Sequence, residues 1–211
     1  MKIEWELRRD VVHYGRLLYE RRLTAGTSGN ISARVSDGAI MITPTGVCKG
    51  MLREYDLIRI DIGTGRTTSE GRPSMETPFH LAAYRARKDT CAVIHCHPVF
   101  ATVLACSNIP PRTDLTPEGL MVLKDVPVVP YATPGSEQLA KNIGEALGGS
   151  NACLLENHGA IAVGRSVEEA YYRIETLEMM SELTVRCEHY KGLRALPPEE
   201  KDRILAMMKE K

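Results

Sequence analysis

Cys91-Ala92-Val93-Ile94-His95-Cys96-His97-Pro98 is an apolar run that ends in two histidines and stops at a proline. A strand places alternate side chains on one face, so His95 and His97 point together while Cys96 points towards the core. Two imidazoles at a rigid strand end are half of a metal site, although the same pair can be two strand histidines satisfied by neighbours. The other half is sought at a distance. Glu76 lies upstream in Arg72-Pro73-Ser74-Met75-Glu76-Thr77-Pro78-Phe79-His80, and His158 lies downstream in Leu155-Glu156-Asn157-His158-Gly159. One carboxylate and three histidines suit zinc, and cobalt or manganese accept the same ligands.

Around this stretch the composition is that of an ordinary globular chain. The 211 residues fit one domain, with 43% hydrophobic and 26% charged residues. Lys+Arg and Asp+Glu both number 27, giving a net charge of zero. No basic surplus argues for nucleic acid, so any anion must be bound by a local site. The six cysteines form no CxxC pair and read as small buried residues of a reducing compartment. No signal peptide or run of membrane-spanning length is present, and a soluble, cytoplasmic protein is expected.

Leu7, Val11, Tyr14 and Leu18 recur at helical spacing, predicting an opening helix that ends near Leu23. Ile31–Val35 and Ala39–Ile42 flank Asp37-Gly38 and predict a hairpin. Leu57–Ile62 predicts another strand, and Pro78 marks a helix start. A helix is expected from Pro98 to about Cys106. Val126–Val129 contains Pro127 and belongs at a sheet edge or strand start. Ser136 opens a helix that Gly148-Gly149 closes, and Ala152–Glu156 and Ala160–Val163 are short strands around Asn157-His158-Gly159. Ser166-Val167-Glu168-Glu169 is a capping box for a long helix to about His189, and Pro197-Pro198-Glu199-Glu200 opens a last one. Hairpins and interleaved helices together predict a mixed sheet with helices on both faces.

Catalytic zinc sites leave one position for water or substrate. Glu76 is therefore either a fourth ligand closing a structural site, or a carboxylate that moves aside and exchanges a proton beside a polarised carbonyl. Asn157 orients the neighbouring ligand or shapes the turn. His13, His80 and His189 read as structural. Gly29-Asn30, Thr45-Gly46 and the stretch containing Ser74 are small-residue loops able to cradle an anion with backbone N–H groups.

Taken in order, Gly26-Thr27-Ser28-Gly29-Asn30-Ile31-Ser32, Thr43-Pro44-Thr45-Gly46, Pro73-Ser74-Met75-Glu76, His95-Cys96-His97, Pro130-Tyr131-Ala132-Thr133 and Asn157-His158-Gly159 resemble the zinc-dependent class II aldolase and epimerase family. The resemblance runs from the first helix to the long helix ending near His189. It implies a three-layer α/β/α sandwich whose central sheet is mixed and largely antiparallel, assembled as a homotetramer with interfacial active sites. It implies His95, His97 and His158 as zinc ligands, and Glu76 as both ligand and proton acceptor and donor. Gly29, Asn30, Thr45, Gly46 and Ser74 match positions that contact a substrate phosphate. Glu76 stands where epimerases usually carry aspartate. The implied reaction is therefore aldol cleavage of a ketose 1-phosphate, such as L-fuculose 1-phosphate, to dihydroxyacetone phosphate and an aldehyde through a zinc-stabilised enediolate.

Three positions depart from the fuculose-phosphate enzymes. Met75 replaces a second serine, and the catalytic tyrosine has no tyrosine counterpart, Asp114 or Glu118 lying in its segment. A C-terminal tyrosine is also missing from Met207-Met208-Lys209-Glu210-Lys211. A dehydratase of a methylthio-pentulose phosphate and a pentulose-phosphate 4-epimerase stand as alternatives within the family. A scaffold like the adducin head would have lost the ligands. A cupin-type barrel would place a glutamate just after the pair, where Val99-Phe100-Ala101-Thr102 has none.

Overall fold

The computed structural model describes residues 3–187, 190 and 194–209. Seven strands form one sheet: β1 (Asn30–Ser36), β2 (Ala39–Ile42), β3 (Ile58–Asp61), β4 (Ala92–Cys96), β5 (Val128–Val129), β6 (Ala152–Leu155) and β7 (Gly159–Gly164). Their order is β3-β2-β1-β4-β7-β6-β5, and every pairing is antiparallel except β5 with β6. Pro127 precedes β5 at the sheet edge, where its missing N–H breaks no ladder. The β1–β2 and β6–β7 hairpins form as their turn residues predict.

Helices cover both faces, as expected of an α/β/α sandwich. The strand alternation sorts the apolar side chains. Ile40, Ile42, Ile60, Val93, Cys153 and Ile161 pack on one side with Phe79 of α2 (Thr77–Ala86) and Leu139 and Ile143 of α5 (Glu137–Gly149). Ile31, Ala33, Met41, Ile94 and Cys96 pack on the other side. Their partners there come from α1 (Glu4–Glu20), α3 (Val99–Ser107) and α6 (Val167–Cys187). Because Ile31 and Ala33 face α1, the intervening Asn30 and Ser32 face α2.

Some expectations need correction. The first helix ends at Glu20, three residues early, and the expected end of the long helix near His189 falls outside the described residues. Helix α4 (Pro117–Leu123) was not anticipated, yet its signal is present. Thr116 accepts from Gly119 N–H at 3.1 Å, and Pro117 occupies the first turn. A last helix, α7, spans Pro198–Lys209. All six cysteines are free, but only Cys96 and Cys153 are buried, and Cys106 is exposed. Among the described residues, no helix is long and apolar enough to cross a membrane.

Candidate active site

The β4 register brings the site together. Asn30 pairs with His95, Cys96 with Ala160, and the β6–β7 turn carries His158 beside the end of β4. Asn157 in that turn is exposed with φ +54°, so it shapes the turn. Gly159 follows because β4 passes very close: a Cβ there would meet His97 Cδ2 at 2.5 Å and the Cys96 carbonyl at 2.6 Å. Gly29 has φ +74°, and a Cβ on it would lie 2.8 Å from the His95 carbonyl.

His95, His97 and His158 present ring nitrogens within 4.8 Å of one another. His95 is fully buried, and its Nδ1–H donates to the Ala160 carbonyl at 2.9 Å. That bond leaves the lone pair on Nε2, which lies 3.0 Å from His97 Nε2 and 3.3 Å from Glu76 Oε2. His158 Nε2 lies 3.2 Å from Glu76 Oε1. Burial, outweighing the attraction of Glu76, pushes His95 down to about 3 and lowers His97 as well. Both therefore carry neutral imidazole at neutral pH, the state a metal ligand requires. Burial pushes the Glu76 carboxyl up, but the hydrogen bonds it accepts, Asn30 Nδ2 among them, hold it below the ordinary carboxylate range, so the group is ionised. A carboxylate and an imidazole lone pair aimed at one point repel unless a cation lies between them, so this donor set fits a divalent metal.

Glu76 caps the N-terminus of α2 and is held from behind. Asn30 Nδ2 donates to Glu76 Oε2 at 2.7 Å and to Ser74 Oγ at 3.0 Å. The Asn30 carbonyl must then accept from His80 Nε2–H, at 2.5 Å. His80 Nδ1 in turn accepts from Ser32 Oγ at 2.7 Å, and Ser32 accepts from the Tyr84 hydroxyl at 2.9 Å. Every proton in this chain points towards Glu76. His80 is structural, as expected, yet its link to Glu76 through Asn30 was not visible in the sequence. Another unanticipated group is Glu178 of α6, whose carboxylate accepts from Phe100 and Ala101 N–H at 2.9 Å each. It caps α3 three residues after His97 and fixes where the chain leaves β4.

Gly29, Asn30, Thr45, Gly46 and Ser74 all line one cleft of about 290 Å³, together with Glu76, His97 and His158. His95 lies buried behind it. Met75 is 76% exposed at its rim. Among the described residues, no lysine, arginine or tyrosine lines the cleft. Asp114 instead pairs with Lys201 at 3.0 Å, and Glu118 is exposed on α4. A larger hollow of about 870 Å³ runs between α2 and α5 but shares only Ser74 with the cleft and holds none of the histidines. The smaller cleft is the candidate site, because the convergent polar groups are there.

Known proteins resemble this chain in sequence and fold. The chain is 35% identical over 188 residues to the 3-oxo-tetronate 4-phosphate decarboxylase of Escherichia coli K12, covering 86% of this chain and 87% of that one. It is 35% identical over 170 residues to the L-fuculose phosphate aldolase of Methanocaldococcus jannaschii, covering 81% and 91%. A solved L-fuculose 1-phosphate aldolase superposes with a TM-score of 0.87 at 34% identity, covering 97% of this chain and 96% of that one. These relatives are a decarboxylase and aldolases, and this chain is a lyase. Residues 9–185 match the Class II Aldolase and Adducin N-terminal domain, and the chain belongs to that family.

Proposed function

We propose that residues 1–211 form one catalytic domain, a metal-dependent aldolase. It cleaves a ketose 1-phosphate between C3 and C4 to give dihydroxyacetone phosphate and an aldehyde. One observation carries this reading: the Glu76 carboxylate lies within 3.3 Å of His95 and His158 nitrogens, in the cleft shared by the Asn30, Thr45 and Ser74 loops. Gly29, Asn30, Thr45, Gly46 and Ser74 bind the phosphate through backbone N–H groups and the Thr45 and Ser74 hydroxyls. A divalent metal held by His95, His97 and His158, zinc by ligand type, would polarise the ketone. Glu76 takes the proton of the C4 hydroxyl as the C3–C4 electrons pass into an enediolate, and returns it to C3 after the aldehyde leaves. Asn30 keeps the carboxylate aimed throughout. The homotetramer implied by the resemblance belongs to this proposal, and light scattering tests it.

Decarboxylation is a second reading, favoured by the cleft itself. Among the described residues no tyrosine, lysine or aspartate lines it, and loss of carbon dioxide needs no base for a hydroxyl proton. Removing the carboxylate of a 3-oxo-tetronate 4-phosphate also leaves the enediolate of dihydroxyacetone phosphate, so the two reactions meet at one intermediate.

The shared half-reaction is tested with dihydroxyacetone phosphate in deuterated water. Loss of the hydroxymethyl proton signal by NMR is followed for metal-stripped and zinc-reconstituted protein. Zinc-dependent, stereospecific exchange is expected, and its absence from folded, zinc-loaded protein sinks both readings. Carbon dioxide release from 3-oxo-tetronate 4-phosphate, set against consumption of dihydroxyacetone phosphate with added aldehydes, then separates them.

A further inference from the structure

Lys49 is 1% exposed, so a full cationic side chain is enclosed in the protein. It begins a single 3₁₀ turn, Lys49–Met51, that packs against α1. Its ammonium donates to the Thr27 carbonyl at 3.1 Å and to the Val47 carbonyl at 2.5 Å. Those carbonyls belong to two separate loops. Thr27 and Gly29 stand on one wall of the cleft, Thr45 and Gly46 on another, and Val47 directly follows. Among the described residues, no carboxylate forms an ion pair with Lys49.

A buried ammonium satisfied only by carbonyl dipoles is costly unless an anion comes near. The cleft presents the complementary deficit. Its loops offer backbone N–H and hydroxyl donors, the chain has no net charge, and no lysine or arginine among the described residues lines it. We infer that Lys49 is a positioning residue for the substrate phosphate: its ammonium ties the Thr27 and Val47 loops together and supplies the positive potential behind them. The inference rests on the phosphorylated-substrate reading above. Its electrostatics agree. Burial pushes the ammonium down to about 8 against an upward pull from the Glu76 carboxylate, so an anion brought beside it favours the charged form.

The test uses zinc-loaded wild-type protein, Lys49→Met, which keeps the volume, and Lys49→Gln, which keeps a donor and loses the charge. Inorganic phosphate is titrated by calorimetry, and deuterium exchange is compared for dihydroxyacetone phosphate and unphosphorylated dihydroxyacetone. Both variants are expected to weaken phosphate binding by about tenfold or more. They should raise KM for the phosphorylated ketone with little change in kcat, and leave exchange of dihydroxyacetone as in wild type. Phosphate affinity within about twofold of wild type overturns the inference, as does an equal loss for both ketones, which marks a merely structural role. Wild-type protein that exchanges neither ketone but binds phosphate in a Lys49-dependent way refutes the lyase reading and leaves Lys49 standing. If neither variant folds, carbon-13-labelled lysine in wild type decides. The Lys49 titration should move upward on saturation with phosphate, and an unmoved titration refutes the inference.

Discussion

Replacing His80 with phenylalanine removes a pH dependence of the buried chain behind Glu76 that can be calculated. His80 is fully buried, and burial, outweighing the pull of Glu76, holds it down at about 3 against an ordinary 6.5. As pH falls below 6.5 the unfolded chain takes up a proton that the folded chain refuses, so wild-type stability drops through the window from 6.5 down to 3. Each pH unit well inside that window costs about 1.4 kcal/mol, and by pH 5 the accumulated loss is about 2 kcal/mol. His80→Phe has no such loss. It does strip the Asn30 carbonyl and the Ser32 hydroxyl of their partner, two buried groups at about 1–3 kcal/mol each. At pH 7.5 the variant should therefore be less stable by about 3 kcal/mol. By pH 5 the gap should narrow to about 1 kcal/mol. Urea unfolding followed by circular dichroism at pH 7.5, 6.5, 5.5 and 5 (about one-unit steps or less) measures it on metal-free protein. His95, His97 and the carboxylates titrate alike in both proteins and cancel in the difference. A gap that stays constant across this range would refute the claim that His80 is held neutral.

Two further outcomes follow from the site. Glu76→Gln should lower exchange of dihydroxyacetone phosphate by about 10²–10⁴-fold while calorimetry still detects phosphate binding; a fully active variant would remove Glu76 from its role. Gly159→Ala should push His97 away, since the new Cβ has only 2.5 Å to its ring. Zinc affinity measured by chelator competition should then fall by about 10–100-fold, and an unchanged affinity would show that His97 is not a ligand.

Much of this architecture was legible because it rests on local pattern. The run ending His95-Cys96-His97 alternates as a buried strand must, Pro127 marks an edge, and Ser136 and Ser166 open the helices their capping chemistry announces. The ordered motifs also brought the residues of the cleft onto one list before any contact was known. Helix α4 lies outside the elements expected from the sequence, although Thr116-Pro117 carries its start signal.

What the sequence determined by itself was the set of strands, the helices other than α4, and the residue types that meet at the site. Apolar periodicity and turn chemistry act over a few residues, so they can be read along the chain. The tertiary structure alone decided how those residues are held. The pairing of Asn30 with His95 places Asn30 beside α2, where its amide reaches Glu76, 46 residues away, and its carbonyl takes the His80 proton. The Lys49 ammonium meets the Thr27 carbonyl across 22 residues. Such contacts depend on strand register and on which turn of a helix packs over the sheet. Those are set by the whole core at once, and no short stretch of sequence carries them.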